Sequence, residues 1–291
     1  MLKKIAKHTV PYLPDVESPT MRNTLNTAVR LTVLATAVLG ATAFGTAAQA
    51  ATTVTPGQFK VGMEITYPPF ESYDEKKNVV GSDPDLSRLL AKHMDLKAEF
   101  VDTKFSSLIL SLNAGHYDAI ISGMYITPER QTQAQTIAYA KTGAAIMVLK
   151  DSALKPKVPE DLCGLKVGLE KGTTWVAQFN KLSTDYCVPN NKGAISVSEF
   201  PSAPEVTQAL LSGNVQAQVE IDGAAGMIAE RTKGRVVVST EHSIYQQTLG
   251  IYVKKGNDEL YQALLKAFDE TKKSGEYAAL LKKYDLEEPA N

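Results

Sequence analysis

The sequence predicts a two-lobed α/β fold, with a largely parallel sheet in each lobe. Three observations point to it. Short apolar runs alternate with helical periods from Phe59 onward, the alternation restarts near Leu165, and no short-period repeat or low-complexity linker separates the two series. Strand–helix–strand alternation is how a chain builds a mostly parallel sheet with helices on its faces. The restart implies a second lobe inserted into the first. The expected divisions are residues 56–143 for the first part of lobe one, 144–245 for lobe two, and 246–291 for the rest of lobe one. Ala140 to Ala145 and Tyr245 to Leu249 would be the two crossovers.

Taken in order, Phe59 to Ile65 reads as a strand. Pro84 to Met94 reads as a helix, with Asp83 as cap, Pro84 at the first position, and Leu86, Leu89, Leu90 and His93 on one face. Ala98 to Val101 is a strand, Ser106 to Ala114 a helix stopped by Gly115, and Asp118 to Ser122 a buried strand. Thr127 caps a helix that starts at Pro128. In the second series Leu165 to Leu169, Val197 to Phe200, Ala217 to Ile221 and Arg235 to Ser239 are strands. Thr174 to Asn180 and Pro204 to Leu211 are helices, the latter ended by Gly213. Gly250 to Val253 is an apolar strand, Asp258 to Ser274 an amphipathic helix, and Gly275 to Tyr284 a closing helix.

The N-terminal segment departs from this pattern. Arg22 and Arg30 precede an uncharged stretch from Leu31 to Ala50, rich in Leu, Val and Ala, that ends Ala48-Gln49-Ala50. A positive start, an apolar run and a small-x-small ending are the features of a cleaved secretory signal. A membrane anchor is the competing reading, because twenty uncharged residues could span a bilayer. Four Thr and two Gly dilute the run and favour the signal. Pro11 and Pro14 sit in a segment unlike a signal start, so Met21 is a candidate initiator.

Composition narrows the class. The 291 residues are 44% hydrophobic and 22% charged, with a formal net charge of -1. Such a balance gives no support for a nucleic-acid partner or an anionic membrane surface. Residues 1–50 hold five Lys/Arg and two acids; without them the chain carries 26 basic and 30 acidic side chains. Export implies an oxidising compartment, where the two cysteines, Cys163 and Cys187, can pair; two buried thiols are the alternative. A disulfide would contribute about 3 kcal/mol through loop closure. The four His are scattered, and no metal constellation or other cofactor motif is present in the sequence.

Several runs carry a resemblance. Val61-Gly-Met-Glu-Ile-Thr-Tyr-Pro-Pro-Phe-Glu71, Tyr117-Asp-Ala-Ile-Ile-Ser-Gly-Met-Tyr-Ile-Thr-Pro-Glu-Arg-Gln131, Val167-Gly-Leu-Glu-Lys-Gly-Thr-Thr174, Asp222 and Tyr277-Ala-Ala-Leu-Leu-Lys-Lys-Tyr284 occur in order. Together they resemble the polar amino-acid-binding proteins of ABC importers. The resemblance implies the type II periplasmic binding protein fold, with two lobes joined by two hinge crossovers. It also implies a periplasmic monomer that closes on an L-amino acid and docks on membrane permease subunits. Neither an enzyme activity nor a nucleic-acid partner is expected.

The resemblance assigns roles residue by residue. Arg130 clamps the ligand carboxylate through its planar fork, with Thr173 and Thr174 as the second lobe's hold on the same group. Asp222 takes the ligand ammonium; Ser122, Gly123 and Met124 meet both charged groups. Tyr67 and Phe105 sandwich the side chain. Glu64 stands where many relatives have Asp and could receive a cationic side chain or simply order the loop. Tyr125 replaces a usual Ser or Thr, and Ser82 a usual Phe. Asp83 and Asp85 are expected to serve helix capping. Trp175, the single tryptophan, adjoins Thr174 and should report closure. A second reading is an exported cyclohexadienyl dehydratase on the same scaffold, with Glu64 as the candidate proton donor. A third is a sensory partner protein that presents the same lobes to a receptor.

Overall fold

In a computed structural model, which describes residues 52–289, strand β1 (Gln58–Met63) lies at the centre of the first half of a nine-stranded sheet. The apolar segment 31–50 and Met21 fall outside the described residues. Three short strands follow, β2 (Thr66–Tyr67), β3 (Glu71–Tyr73) and β4 (Val79–Val80), and form a separate antiparallel sheet absent from the sequence-based expectation. Helix α1 (Ser82–His93), β5 (Lys97–Asp102), α2 (Leu108–Asn113), β6 (Ala119–Ile120) and α3 (Pro128–Gln133) come next. β1 pairs parallel with both β5 and β6, in register from Gln58↔Lys97 to Met63↔Asp102.

Strand β7 (Ala134–Leu149) then runs for sixteen residues out of the first half of the sheet and into the second. There β8 (Lys166–Glu170), α4 (Thr174–Leu182), β9 (Ser196–Phe200), α5 (Ala203–Leu211), β10 (Ala217–Ile221), α6 (Asp222–Arg231) and β11 (Val236–Val238) repeat the pattern. β8 pairs parallel with β9 and β10. The chain returns along β12 (Ile244–Lys254) and ends with α7 (Asp258–Lys273) and α8 (Glu276–Tyr284). The sheet order is β5-β1-β6-β12-β7-β10-β8-β9, with β11 also on β7.

The two expected crossovers are therefore continuous strand rather than loop. β7 and β12 pair antiparallel through this stretch, with Leu249↔Ala140 and Gln247↔Thr142, and the register shifts between Ile244 and Gln247. A bulge of this kind adds a local bend without ending the pairing. Each half of the sheet contributes a buried apolar layer. In the first, Phe59, Val61, Leu86 and Leu90 pack beneath α1; in the second, Val167, Leu169, Val219 and Phe179 pack beneath α4. Cys163 and Cys187 are joined by a disulfide that ties the turn before β8 to the segment after α4.

The helix starts divide into two kinds. Thr127 caps α3 as expected, its Oγ1 accepting the Arg130 N–H at 3.1 Å. Asp83 does not cap α1. The N-cap is Gly81 at φ 134, where a Cβ would lie 2.1 Å from the Phe70 carbonyl oxygen. A side chain there would clash, and the following Asp83 is fully buried, its carboxylate accepting from the Gly123 N–H and the Tyr139 hydroxyl. Asp85 serves no cap either; it accepts from Lys283 and from the Tyr284 hydroxyl, tying α1 to α8.

Candidate functional site

Strand ends from both halves of the sheet converge on a narrow cavity. β1 delivers Glu64 and Tyr67 just beyond its last residue, and β6 delivers Gly123 and Tyr125. From the other half, β8 delivers Glu170 and the turn to Thr173 and Thr174, and β10 delivers Ile221. Residues just past the carboxyl ends of parallel strands are where an open α/β sheet gathers ligand-binding groups.

One side of the cavity is built to hold an anion. Arg130 lies in the first turn of α3 and is 8% exposed. Its Nη1 donates to the Tyr125 carbonyl at 2.7 Å and its Nη2 to the Gly172 carbonyl at 2.9 Å, so it reaches from one half of the molecule to the other. These bonds use two of the five N–H donors a guanidinium carries. The Phe105 ring stacks beneath it with its centroid 5.6 Å away. Next to it α4 begins: Thr173 is the N-cap, and its hydroxyl is turned back onto the Glu170 carbonyl at 2.7 Å. The buried Thr174 hydroxyl and Trp175 Nε1–H have no protein partner. Free donors at a helix start, beside an arginine, favour a carboxylate.

The lining is also acidic. Glu64, Glu71, Glu170 and Glu220 are all at most 5% exposed. Glu64 Oε2 accepts from the Phe105 N–H at 3.0 Å, while its Oε1 stands 3.8 Å from the exposed Lys104 ammonium. The Ser122 hydroxyl accepts the Glu64 N–H at 3.0 Å and donates to Glu71 Oε1 at 2.7 Å. Glu71 meets Asp83, whose carboxylate takes the Gly123 N–H at 2.7 Å and the Tyr139 hydroxyl. Gly123 sits at φ 51, a backbone setting that aims its N–H at Asp83. Glu220 accepts from Tyr67 and from Gln218 Nε2, both at 2.7 Å.

Burial sets the protonation of these groups. It pushes Glu71 well above the usual carboxylate range, with Asp83 adding to the effect. It raises Glu170, with Glu64 adding to the effect. It raises Glu220 to about 7. Burial and the Glu220 charge hold the Tyr67 hydroxyl well above its ordinary value. In each case water is excluded from the charged form.

The sequence-based candidates fall into two groups. Glu64, Tyr67, Phe105, Gly123, Tyr125, Arg130, Thr173 and Thr174 come together on the cavity wall. Ser122, Met124 and Asp222 do not line it. Ser122 lies one layer behind, linking Glu64 to Glu71. Met124 points away into a cluster with Leu108, Leu112 and Tyr117. Asp222 begins α6 and accepts from the Ser243 hydroxyl at 2.5 Å, near the crossover. Tyr125, the unusual residue in its motif, donates to the Gly143 carbonyl at 3.1 Å and sets its ring edge-on to Trp175. Glu71, Glu170, Trp175 and Ile221 also line the cavity, and Glu220 stands behind Tyr67. None of these five was a candidate. One signal was available: Glu220 is a charge inside the otherwise uncharged strand Ala-Gln-Val-Glu-Ile, and such charges are rarely buried without a partner. Among the described residues there is no His/Cys/Asp/Glu group that could hold a metal, and no helix is long and apolar enough to cross a membrane.

Residues 59–287 match the family described as bacterial extracellular solute-binding proteins, family 3. The chain belongs to that family. This family 3 solute-binding protein is 44% identical over 114 residues to ABC transporter arginine-binding protein 1 of Escherichia coli strain K12. That match covers 39% of this chain and 46% of the relative, so the chain spans about half the length of that protein. Among solved structures it is similar to an ancestral arginine-binding protein bound to arginine, with TM-score 0.71 and 35% identity over 78% of this chain and 98% of the other. It is also similar to an ancestral amino acid-binding protein that is a precursor of cyclohexadienyl dehydratase. There the TM-score is 0.66 and identity 32%, over 78% of this chain and 95% of the other. The fold of the solute-binding protein is accordingly the two-lobed type II periplasmic binding architecture, with β7 and β12 as the connections between lobes.

Proposed function

We propose that the protein captures an L-amino acid with a cationic side chain in the periplasm and delivers it, by closure of two lobes, to the permease subunits of an ABC importer. One observation carries this reading: the cavity sets a single guanidinium with free helix-start donors against a wall of buried glutamates. The ligand carboxylate then lies on Arg130 and Thr174, and its ammonium and side-chain cation lie toward Glu64, Glu71 and Glu170. Tyr67 and Phe105 flank the aliphatic stem. An ion taken from water needs a partner of opposite charge inside, and this cavity holds more negative than positive partners. The arginine-binding names of two similar proteins support the same class.

The lobes are proposed to comprise 56–143 with 246–291, and 144–245. Closure brings Gly172 to Arg130 and Glu220 to Tyr67. Residues 1–50, or 21–50 if Met21 is the true start, direct export and are then removed, and the protein acts as a monomer.

A screen of ligand-stripped protein by thermal shift and Trp175 fluorescence tests the proposal. Twenty amino acids plus ornithine, citrulline and cystine are the ligands. Stabilisation by arginine, lysine or ornithine is the expected result; no shift with any of them sinks the reading. The dehydratase alternative is disfavoured by the same electrostatics. Its substrate prephenate carries two carboxylates and no cation, whereas the cavity lining has one arginine and three glutamates. Turnover of prephenate or arogenate would restore it.

A further inference from the structure

Glu64 and Glu170 line the same cavity from different lobes, one past the end of β1 and the other at the end of β8, and both are buried. The Oε1 atoms of both receive no hydrogen bond from any N–H or O–H donor outside the pair. The surrounding charges do not neutralise them. Arg130 donates from each Nη to the Tyr125 and Gly172 carbonyls and is within ion-pair distance of neither glutamate, and Lys104 is exposed and 3.8 Å from Glu64. The remaining titratable neighbours are Glu71 with Asp83 behind it, Glu220 with Tyr67, and Tyr125. The carboxylates add negative charge, and the phenols are neutral. Two buried carboxyls lining one cavity cannot both ionise without a cation between them.

We propose that Glu170 is the charge-selecting residue of the second lobe. In the lobe-closed protein without ligand, Glu170 carries a proton where it faces Glu64, and the cationic side chain of the ligand takes that proton's place. This rests on the reading of the protein as an amino-acid receptor and extends it to the mechanism of selection. The exchange balances. A guanidinium or ammonium enters and donates N–H bonds to the two Oε1 atoms, the O–H bond of the Glu170 carboxyl breaks, and its proton leaves to solvent. The position of Glu170 in the pair is supported by its burial, which favours the protonated form in the closed protein without ligand. A neutral isostere has no charge with which to displace the proton, so the same protein binds it without proton release.

Isothermal calorimetry of arginine and citrulline, repeated in buffers of different ionisation enthalpy, reads this directly. Wild-type protein is expected to release about one proton on binding arginine at neutral pH and none on binding citrulline, with arginine affinity tightening as pH rises. Glu170→Gln keeps the shape and removes the charge. It is expected to weaken arginine roughly tenfold or more and to abolish the release, since it removes one partner of a buried charge pair. Citrulline affinity is expected to fall less than arginine affinity, and a cooperative urea denaturation curve like that of wild type reports that the variant is folded.

Arginine binding by wild-type protein with no proton release overturns the inference and leaves the proposed function standing. Release that persists in Glu170→Gln overturns it too, because the proton then comes from another group. Absence of binding by any amino acid overturns the inference and the proposed function together.

Discussion

The Tyr67 hydroxyl donates to Glu220 Oε2 at 2.7 Å and accepts the Ile221 N–H at 3.1 Å, so one phenol from β2 holds the end of β10. Tyr67 also stacks on Phe70, ring centroids 5.7 Å apart, which fixes the phenol's direction. Tyr67→Phe keeps the stacking and removes the hydroxyl. Glu220 then loses one of its two donors while buried, at a cost of about 1–3 kcal/mol. Ligand affinity measured by calorimetry should fall by roughly tenfold, whereas unchanged affinity would show that this contact does not assist closure.

Glu220 also makes stability depend on pH. Burial raises it from 4.5 to about 7 in the folded protein. A carboxyl with a raised folded value stabilises fully below its unfolded value and loses that contribution as pH rises through the folded one. Ligand-free protein should therefore lose stability between about pH 4.5 and 7, by an amount of order 3 kcal/mol from this group. Glu220→Gln should flatten the trend in urea denaturation at several pH values. An equal slope in the variant would place the titration elsewhere.

Arg130→Lys tests the anion side. A lysine ammonium cannot make the parallel bonds of a guanidinium, nor serve the Tyr125 and Gly172 carbonyls together with a ligand carboxylate. Binding should weaken by roughly tenfold or more in a fluorescence titration, because the charge is kept but the paired hydrogen bonds to a buried carboxylate are lost. Affinity within a few-fold of wild type would remove Arg130 from the ligand contacts.

The Cys163–Cys187 disulfide closes a loop of sequence separation 24. Reduction should lower unfolding stability by about 3 kcal/mol in the chain-entropy account. Denaturation with and without reductant measures this directly; coincident curves would show that the reduced denatured state retains its own compactness.

How much of this was legible beforehand differs from element to element. Local signals were read correctly where local chemistry decides: Thr127 and Pro128 start α3, Gly115 and Gly213 follow helices, and Ala217–Ile221 is a strand. The sequence by itself determined the alternating α/β order, the resemblance to a binding-protein family, and eight residues that meet on one cavity wall. Only the tertiary structure decided three further matters. It made 134–149 one strand, because β12, β10 and β11 pair along it and these partners are distant in sequence. It turned Asp83 from an expected cap into a buried partner of Tyr139 and Gly123. And it gathered Glu64, Glu71, Glu170 and Glu220 around one space. A glutamate's charge is written in its own codon position, but its burial and the identity of its neighbours depend on strands that meet only after folding, and those two quantities set both its protonation and what it can bind.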